Sequence, residues 1–258
     1  MHRGRLTDGP GARPRRTSPR RIARGQPQVS CSNCPYRELC LPALLNGDDL
    51  ARAERLVTAR RRLARGETLF AAGGKFNVFY AVQHGSLKAS VFDAGGREQV
   101  IGLFLGGNLI GLEGIARGAY GSTASALEDS VVCILPYGAV ERMERDLPPM
   151  QRRLHALLAH QIERDQRLAA LLGATRADKR LARFLVDLSQ RFARRGHSSP
   201  ELRLRMGRED IASYLCLSSE TVSRALSQLQ KDGVIAVQRR HVVILDMPRL
   251  LKLQDRAD

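Results

Sequence analysis

Pro148-Pro149-Met150-Gln151-Arg152-Arg153-Leu154-His155-Ala156-Leu157-Leu158-Ala159-His160-Gln161-Ile162-Glu163-Arg164-Asp165-Gln166-Arg167-Leu168-Ala169-Ala170-Leu171-Leu172-Gly173 is the stretch on which the organisation of the chain turns. Met150, Leu154, Leu158, Ile162, Asp165, Ala169 and Leu172 recur at steps of three and four, the spacing of one helix face. Two prolines stand at its start and a glycine follows, the asymmetry expected of helix ends. At 1.5 Å per residue, roughly 23 residues from Met150 to Leu172 form a rod of about 35 Å, longer than the average globular helix. Asp165 interrupts the apolar seam. Either a core helix frays there so that the carboxylate reaches water, or two copies pair in parallel and their Asp165 side chains approach across a two-fold axis.

Outward from this helix the chain is unlike on its two sides. Its 258 residues suffice for one large domain or two smaller ones, with a formal charge of +16 and 43% hydrophobic residues. That charge favours a polyanionic partner, nucleic acid or an anionic membrane surface. No apolar run of 18 residues occurs, so no membrane span is expected. The first thirty residues carry Arg3, Arg5, Arg13, Arg15, Arg16, Arg20, Arg21 and Arg24 against the single acid Asp8, with no apolar signal core. Residues 1–28 are therefore read as a disordered basic arm.

Cys31, Cys34 and Cys40 follow as C-x2-C-x5-C, with Pro35 stiffening the loop. Without an export signal, three thiols within ten residues suggest a soft metal centre rather than a disulfide framework. Cys133, in the apolar run Val131-Val132-Cys133-Ile134-Leu135, is the candidate fourth ligand. Alone it would read as a buried hydrophobe-like thiol. Four thiolates suit zinc or an iron–sulfur cluster, and spacing does not choose between them. Cys216, in Tyr214-Leu215-Cys216-Leu217, is expected to be a core thiol.

Residues 49–58 have the pattern of a short amphipathic helix. Beyond Arg60-Arg61-Arg62, short apolar runs such as Val78-Phe79-Tyr80-Ala81-Val82 and Gln99-Val100-Ile101-Gly102-Leu103-Phe104 alternate with turn signals at Gly73-Gly74, His84-Gly85-Ser86, Asp93-Ala94-Gly95-Gly96 and Gly106-Gly107. This spacing predicts a small all-β sandwich or barrel of jelly-roll type. His84 is the single histidine of the region, too few for a metal-dependent cupin-like enzyme. No Gly-Glu-Leu followed by Arg-Ser or Arg-Thr is present to clamp a cyclic phosphate.

After Gly173 the period becomes helical. A helix over 179–192 is followed by two more, with Ile211, Ala212 and Leu215 inward on the first and Val222, Leu226 and Leu229 inward on the second. Ser218 or Ser219 caps the second. Glu220, Thr221, Ser223, Arg224 and Ser227 then face outward, a set suited to the major groove: Arg reads guanine, Glu accepts from cytosine, Ser reaches phosphate or a base edge. Residues 234–237 and 242–245, joined by Gln238-Arg239-Arg240-His241, predict a two-stranded wing with a basic tip.

Taken together, the cysteine-rich start, a β domain ending in Val-Cys-x-x-Pro, the long helix and Glu220-Thr221-Val222-Ser223-Arg224 resemble the Crp/Fnr superfamily of bacterial regulators, and within it the oxygen-sensing fumarate-and-nitrate-reduction regulator subgroup. The likeness runs from Cys31 to about Leu245. It implies an α+β architecture: a cyclic-nucleotide-binding-like β-roll (jelly roll), a long dimerisation helix and a C-terminal winged helix–turn–helix. The corresponding expected segments are 29–48 for cluster binding, 49–147 for the β-roll sensor, 148–173 for the dimer helix, 174–248 for the DNA reader and 249–258 as a flexible tail.

The resemblance also implies that Cys31, Cys34, Cys40 and Cys133 ligate a 4Fe-4S cluster and that Glu220, Ser223 and Arg224 read a TTGAT-type inverted repeat. Leu154, Leu158, Ile162 and Asp165 would lie on the dimer helix, where loss of the cluster in oxygen weakens dimerisation. The implied partners are double-stranded promoter DNA, RNA polymerase and a second copy of the chain, without cyclic nucleotide or membrane, in the cytoplasm and with no enzymatic activity. A zinc-binding or redox-insensitive regulator of the same superfamily is the nearest alternative. An iron–sulfur redox enzyme would share the cysteines but has no use for an outward Glu, Ser and Arg.

Overall fold

The structure is a computed structural model that describes residues 30–173 and 176–255. The basic arm expected at 1–28 and the last three residues of the expected tail lie outside the described residues. Two short 3-10 turns, Arg37–Leu39 and Leu41–Leu44, carry the cysteine-rich segment into α1 (Gly47–Glu54). Eight antiparallel strands follow: β1 (Ala59–Leu63), β2 (Thr68–Phe70), β3 (Val78–His84), β4 (Ser86–Phe92), β5 (Glu98–Leu105), β6 (Leu109–Ile110), β7 (Thr123–Ala126) and β8 (Ser130–Pro136). They form two four-stranded sheets, β1-β8-β3-β6 and β2-β7-β4-β5, as the glycine-punctuated pattern predicts.

Between the sheets lie Phe79, Leu87, Ala124 and Val132, all fully buried. Phe70 stacks on Tyr120 at 3.9 Å between centroids, and the Tyr120 hydroxyl donates to the Val78 carbonyl at 2.7 Å, so its polar end is satisfied. The β3–β4 turn needs Gly85: its φ is +84°, and a Cβ there would meet Ser130 Oγ at 2.3 Å. One turn of helix, α2 (Gly114–Arg117), and a longer one, α3 (Tyr137–Asp146), complete the domain. The sequence reading assigned neither: α2 is a single turn, and α3 directly follows the apolar run of β8.

The long helix α4 runs from Pro148 to Leu172, with the prolines in its first turn. Its seam divides. Met150 (0% exposed) and Leu154 (4%) pack into the β-roll core, Leu158 is half-buried, and Ile162 (58%) and Asp165 are exposed. Leu154, expected on the dimer seam, is covered here by its own domain. The face left open begins at Leu158.

The remaining elements are α5 (Ala177–Ala193), β9 (Glu201–Arg203), α6 (Arg208–Leu215), α7 (Ser219–Lys231), β10 (Ile235–Gln238), β11 (His241–Ile244) and α8 (Met247–Asp255). The wing has three strands, in the order β10-β11-β9, because the alternating Leu202 side chain also enters the core. Residues 249–255 are not a flexible tail: they belong to α8, which packs on α5 through the fully buried Leu250. Pro248 at the start of this helix reads as a breaker in sequence, whereas in the first turn it is accommodated. Cys216 is exposed rather than core, in left-handed conformation (φ 51°) where α6 ends.

The β-roll and the reader share an apolar cluster in which Val100, Leu103 and Leu105 of β5 meet Leu181, Phe184 and Leu188 of α5. Polar contacts border it. Ser213 Oγ accepts from the Val100 amide at 2.8 Å and donates to the Glu98 carbonyl at 3.0 Å. Arg195 Nε donates to the Gly106 carbonyl at 2.8 Å, and Arg205 pairs with Glu128 at 2.9 Å.

Candidate functional site

The thiol loop forms because consecutive turns close it on itself. The Cys34 amide donates to the Cys31 carbonyl (3.3 Å), the Arg37 amide to Cys34 (3.1 Å) and the Cys40 amide to Arg37 (3.1 Å). Side chains hold it to the rest of the domain: Glu54 of α1 accepts from the Cys31 amide at 3.1 Å, and Arg37 donates to the Leu45 carbonyl at 2.6 Å and to Asn46 at 2.9 Å. Tyr36 lies on Gly106 and Leu39 on Gly107. Cβ atoms at those glycines would come within 2.2 Å of the Tyr36 ring and 2.7 Å of Leu39 Cβ. The glycine pair is therefore what lets the loop lie flat against the β5–β6 turn.

Cys133 stands on β8, opposite Arg60 of β1 and Ala81 of β3. Cys31, Cys34, Cys40 and Cys133 line one cavity, with Arg60 and Ala81 among its walls. Burial pushes the Cys31 thiol up to about 11 and the Cys40 thiol up to about 12, and the neighbouring thiols add to both rises. Burial raises Cys133 as well, against the charge and hydrogen bond of Arg60. As thiolates these groups repel one another, so a cationic centre would neutralise the set.

Among the described residues, no group of three or more His, Cys, Asp or Glu side chains is gathered around a point where one metal ion could be held. Zinc needs all four sulfurs at about 2.3 Å from a single ion. A 4Fe-4S cluster is likewise held by four cysteine thiolates. Four cysteines lining one cavity are a donor set that either centre could use.

At the other end of the chain, Ser218 caps α7 by accepting from the Thr221 amide at 3.0 Å. Val222, Leu226 and Leu229 are buried, and Glu220, Ser223, Arg224 and Ser227 are exposed, as the sequence predicts. Arg224 donates to Glu220 one turn before it, and Ser223 Oγ donates to the Ser219 carbonyl at 2.9 Å. The wing tip places Arg239 in left-handed conformation (φ 56°), where its carbonyl accepts from Arg208 at 3.3 Å. Sequence reasoning missed the clamp from α4: Arg153 Nε donates to the Cys40 carbonyl and its terminal nitrogen to the Glu38 carbonyl, both at 2.9 Å. A basic side chain on a helix carries no signal for such a partner.

A groove lies between α4 and the β-roll. Ile101, Phe104, Leu112, Leu158 and Ile162 line it with Glu113 and Asp165, and no Arg or Lys does. Arg164 borders it, its guanidinium 5.8 Å from the centre of the Phe104 ring.

The family of cyclic nucleotide-binding domains matches residues 60–146, and that of Crp-like helix-turn-helix domains matches residues 179–253. The chain belongs to the Crp/Fnr family of transcription regulators. It is 37% identical over 234 residues to the transcriptional regulatory protein btr of Bordetella pertussis, covering 91% of this chain and 97% of the relative. It is 36% identical to the fumarate and nitrate reduction regulatory protein of Escherichia coli, covering 91% and 94%. FixK2 from Bradyrhizobium japonicum has a similar structure, with TM-score 0.71, 28% identity, and coverage of 78% of this chain and 98% of that one. These relatives are regulators rather than enzymes, and no described helix is long and apolar enough to cross a membrane.

Proposed function

We propose that the chain is an oxygen-responsive transcription regulator whose four thiolates, Cys31, Cys34, Cys40 and Cys133, hold a 4Fe-4S cluster. The observation that carries this reading is their arrangement around one cavity between the thiol loop and β8. When bound, the cluster supplies lability toward oxygen, so that the link between loop and β8 exists only in its absence. The protein's part is to position the thiols and convert that link into a change at α4. Arg60 offsets the charge of the Cys133 thiolate, and the glycine pair 106–107 seats the loop.

On α4 the open face Leu158, Ile162 and Asp165 is where a second copy docks in parallel, with the two Asp165 carboxylates opposing association. A few kcal/mol gained by fixing the loop is the scale that moves such an equilibrium. The dimer then presents two α7 helices about one helical turn of DNA apart, roughly 34 Å, for an inverted TTGAT-type repeat. There Arg224, Glu220 and Ser223 face base edges while Arg239 and Arg240 lie over phosphates. RNA polymerase is the further partner in this reading. Cyclic nucleotide has no part in it, a reading supported by the missing Gly-Glu-Leu and Arg-Ser or Arg-Thr clamp.

Reconstitution without oxygen, with iron and sulfide quantified per chain and binding to a TTGAT palindrome measured alongside, tests the reading. About four of each per chain are expected. Zinc retained in their place, or DNA binding indifferent to the metal, would favour the redox-insensitive alternative.

A further inference from the structure

The thiol loop has anchors at both ends, and they lead to different places. Its start is tied to α1, through Glu54 and the Cys31 amide. Its end is tied to α4, through the two hydrogen bonds of Arg153 to the carbonyls of Glu38 and Cys40. Guanidinium is suited to this because its N–H groups diverge in a fixed plane, so the two carbonyls must keep one relative orientation for both bonds to survive. Cys40 is itself one of the four thiol residues: its carbonyl is held by the helix, and the residue lines the cavity.

The flanking packing makes this clamp stiff. Leu154, next in sequence, is buried in the β-roll core, as is Met150 one turn earlier, and the second 3-10 turn lies along the same stretch of α4. A displacement of Cys40 therefore cannot be absorbed by a loose side chain. It either breaks a charge-assisted hydrogen bond or moves the helix. Twelve residues on, about 18 Å along the axis, lies Asp165 in the open face.

We infer that Arg153 is the positioning residue that couples the occupancy of the thiol site to dimerisation, by reading the backbone of Cys40 and Glu38 and fixing the placement of α4. This rests on the proposed iron–sulfur reading and specifies how that site is read out. With the four thiolates joined, Cys40 is held and both carbonyls face the guanidinium. With them released, the loop is free to turn, the fork loses one or both acceptors, and α4 loses its tether to the loop.

The test uses the full chain, reconstituted without oxygen as wild type, Arg153→Met and Arg153→Lys. Iron and sulfide per chain, thermal unfolding and the dimer dissociation constant are measured for each, before and after exposure to air. Both variants keep all four thiols and are expected to take up iron and sulfide as wild type does, while unfolding a few degrees lower for the lost hydrogen bonds. Both are expected to dimerise about tenfold or more weakly before exposure, the scale of losing a charge-assisted bidentate contact, and to change little on exposure. Lysine keeps the charge but cannot span both carbonyls, so it does not rescue. Retained cluster with wild-type, air-sensitive dimerisation in Arg153→Met would overturn the inference. So would loss of cluster in step with dimerisation, since Arg153 would then be only a prop for the loop. Full rescue by lysine would also contradict it, because charge and not the fork would be acting. A wild type that takes up no iron and sulfide would instead refute the iron–sulfur reading itself.

Discussion

Lys88 Nζ lies 2.7 Å from Asp210 Oδ1 and so joins β4 of the sensor domain to α6 of the reader. Glu98, on the neighbouring strand β5, takes a second hydrogen bond from the same ammonium at 2.9 Å. Burial alone would lower the Lys88 pKa, and the hydrogen bonds to Asp210 and Glu98 outweigh it and hold the pKa raised. The lysine is mostly shielded, so the reader is docked onto the sensor by a charge that would be costly to leave unpaired.

Lys88→Met should therefore destabilise the docked arrangement by about 2 kcal/mol, the scale of losing hydrogen bonds to charged groups. Denaturant unfolding followed by probes in each domain checks this, with the transitions expected to separate. Because the lysine pKa is raised on folding, this stabilisation is complete below its unfolded pKa and is lost only as pH rises through the folded one. It is fully present at neutral pH.

Serine at Cys31, Cys34, Cys40 or Cys133 should abolish iron and sulfide retention one residue at a time. Serine at the exposed Cys216 should leave it unchanged. Iron and sulfide assays on the anaerobically reconstituted variants decide the matter. Loss at Cys216, or retention at any of the other four, would reassign the ligands.

Asp165 is the residue whose charge should set the monomer–dimer balance. Burial raises its carboxyl pKa, while the Gln161 hydrogen bond and Arg164 pull it back. Across a two-fold axis a second carboxylate raises it further, so association takes up protons. Dimerisation should tighten as pH falls toward the raised carboxyl pKa and level off well above it. Asp165→Asn should dimerise in air and lose that dependence, as sedimentation at several pH values would show.

On the reader, Arg224→Ala should weaken binding to the TTGAT-type palindrome by about 1–3 kcal/mol per half-site and relax discrimination at one base pair. Arg239→Ala, at the wing tip, should weaken all sequences alike and reduce the salt slope by about one. Titrations at several salt concentrations on matched and mismatched duplexes separate the two effects.

Much of this arrangement is legible in the sequence because the relevant signals are local. Glycine-punctuated apolar runs mark the β-roll, and the period of Val222, Leu226 and Leu229 fixes which side of α7 faces out. The thiol triplet stands out by spacing, although only the fold brings Cys133 to it. What escapes is what depends on distant packing. Leu154 lies on the same helix stripe as Ile162, and periodicity cannot say that the first is covered by the chain's own β-roll while the second is open. Cys216 sits between apolar neighbours, yet the left-handed turn after Leu215 carries it to the surface. Nothing local marks Lys88, Gln99, Ser213 and Arg153 as paired, because their partners lie far along the chain.

The most direct test of the central claim is sedimentation of the anaerobically reconstituted protein while oxygen is added stepwise, with intact cluster followed by iron and sulfide content in the same samples. The account predicts a dimer that dissociates in proportion to cluster lost, together with loss of TTGAT binding. A dimer that persists after the cluster is gone, or a protein that never acquires one, would contradict it.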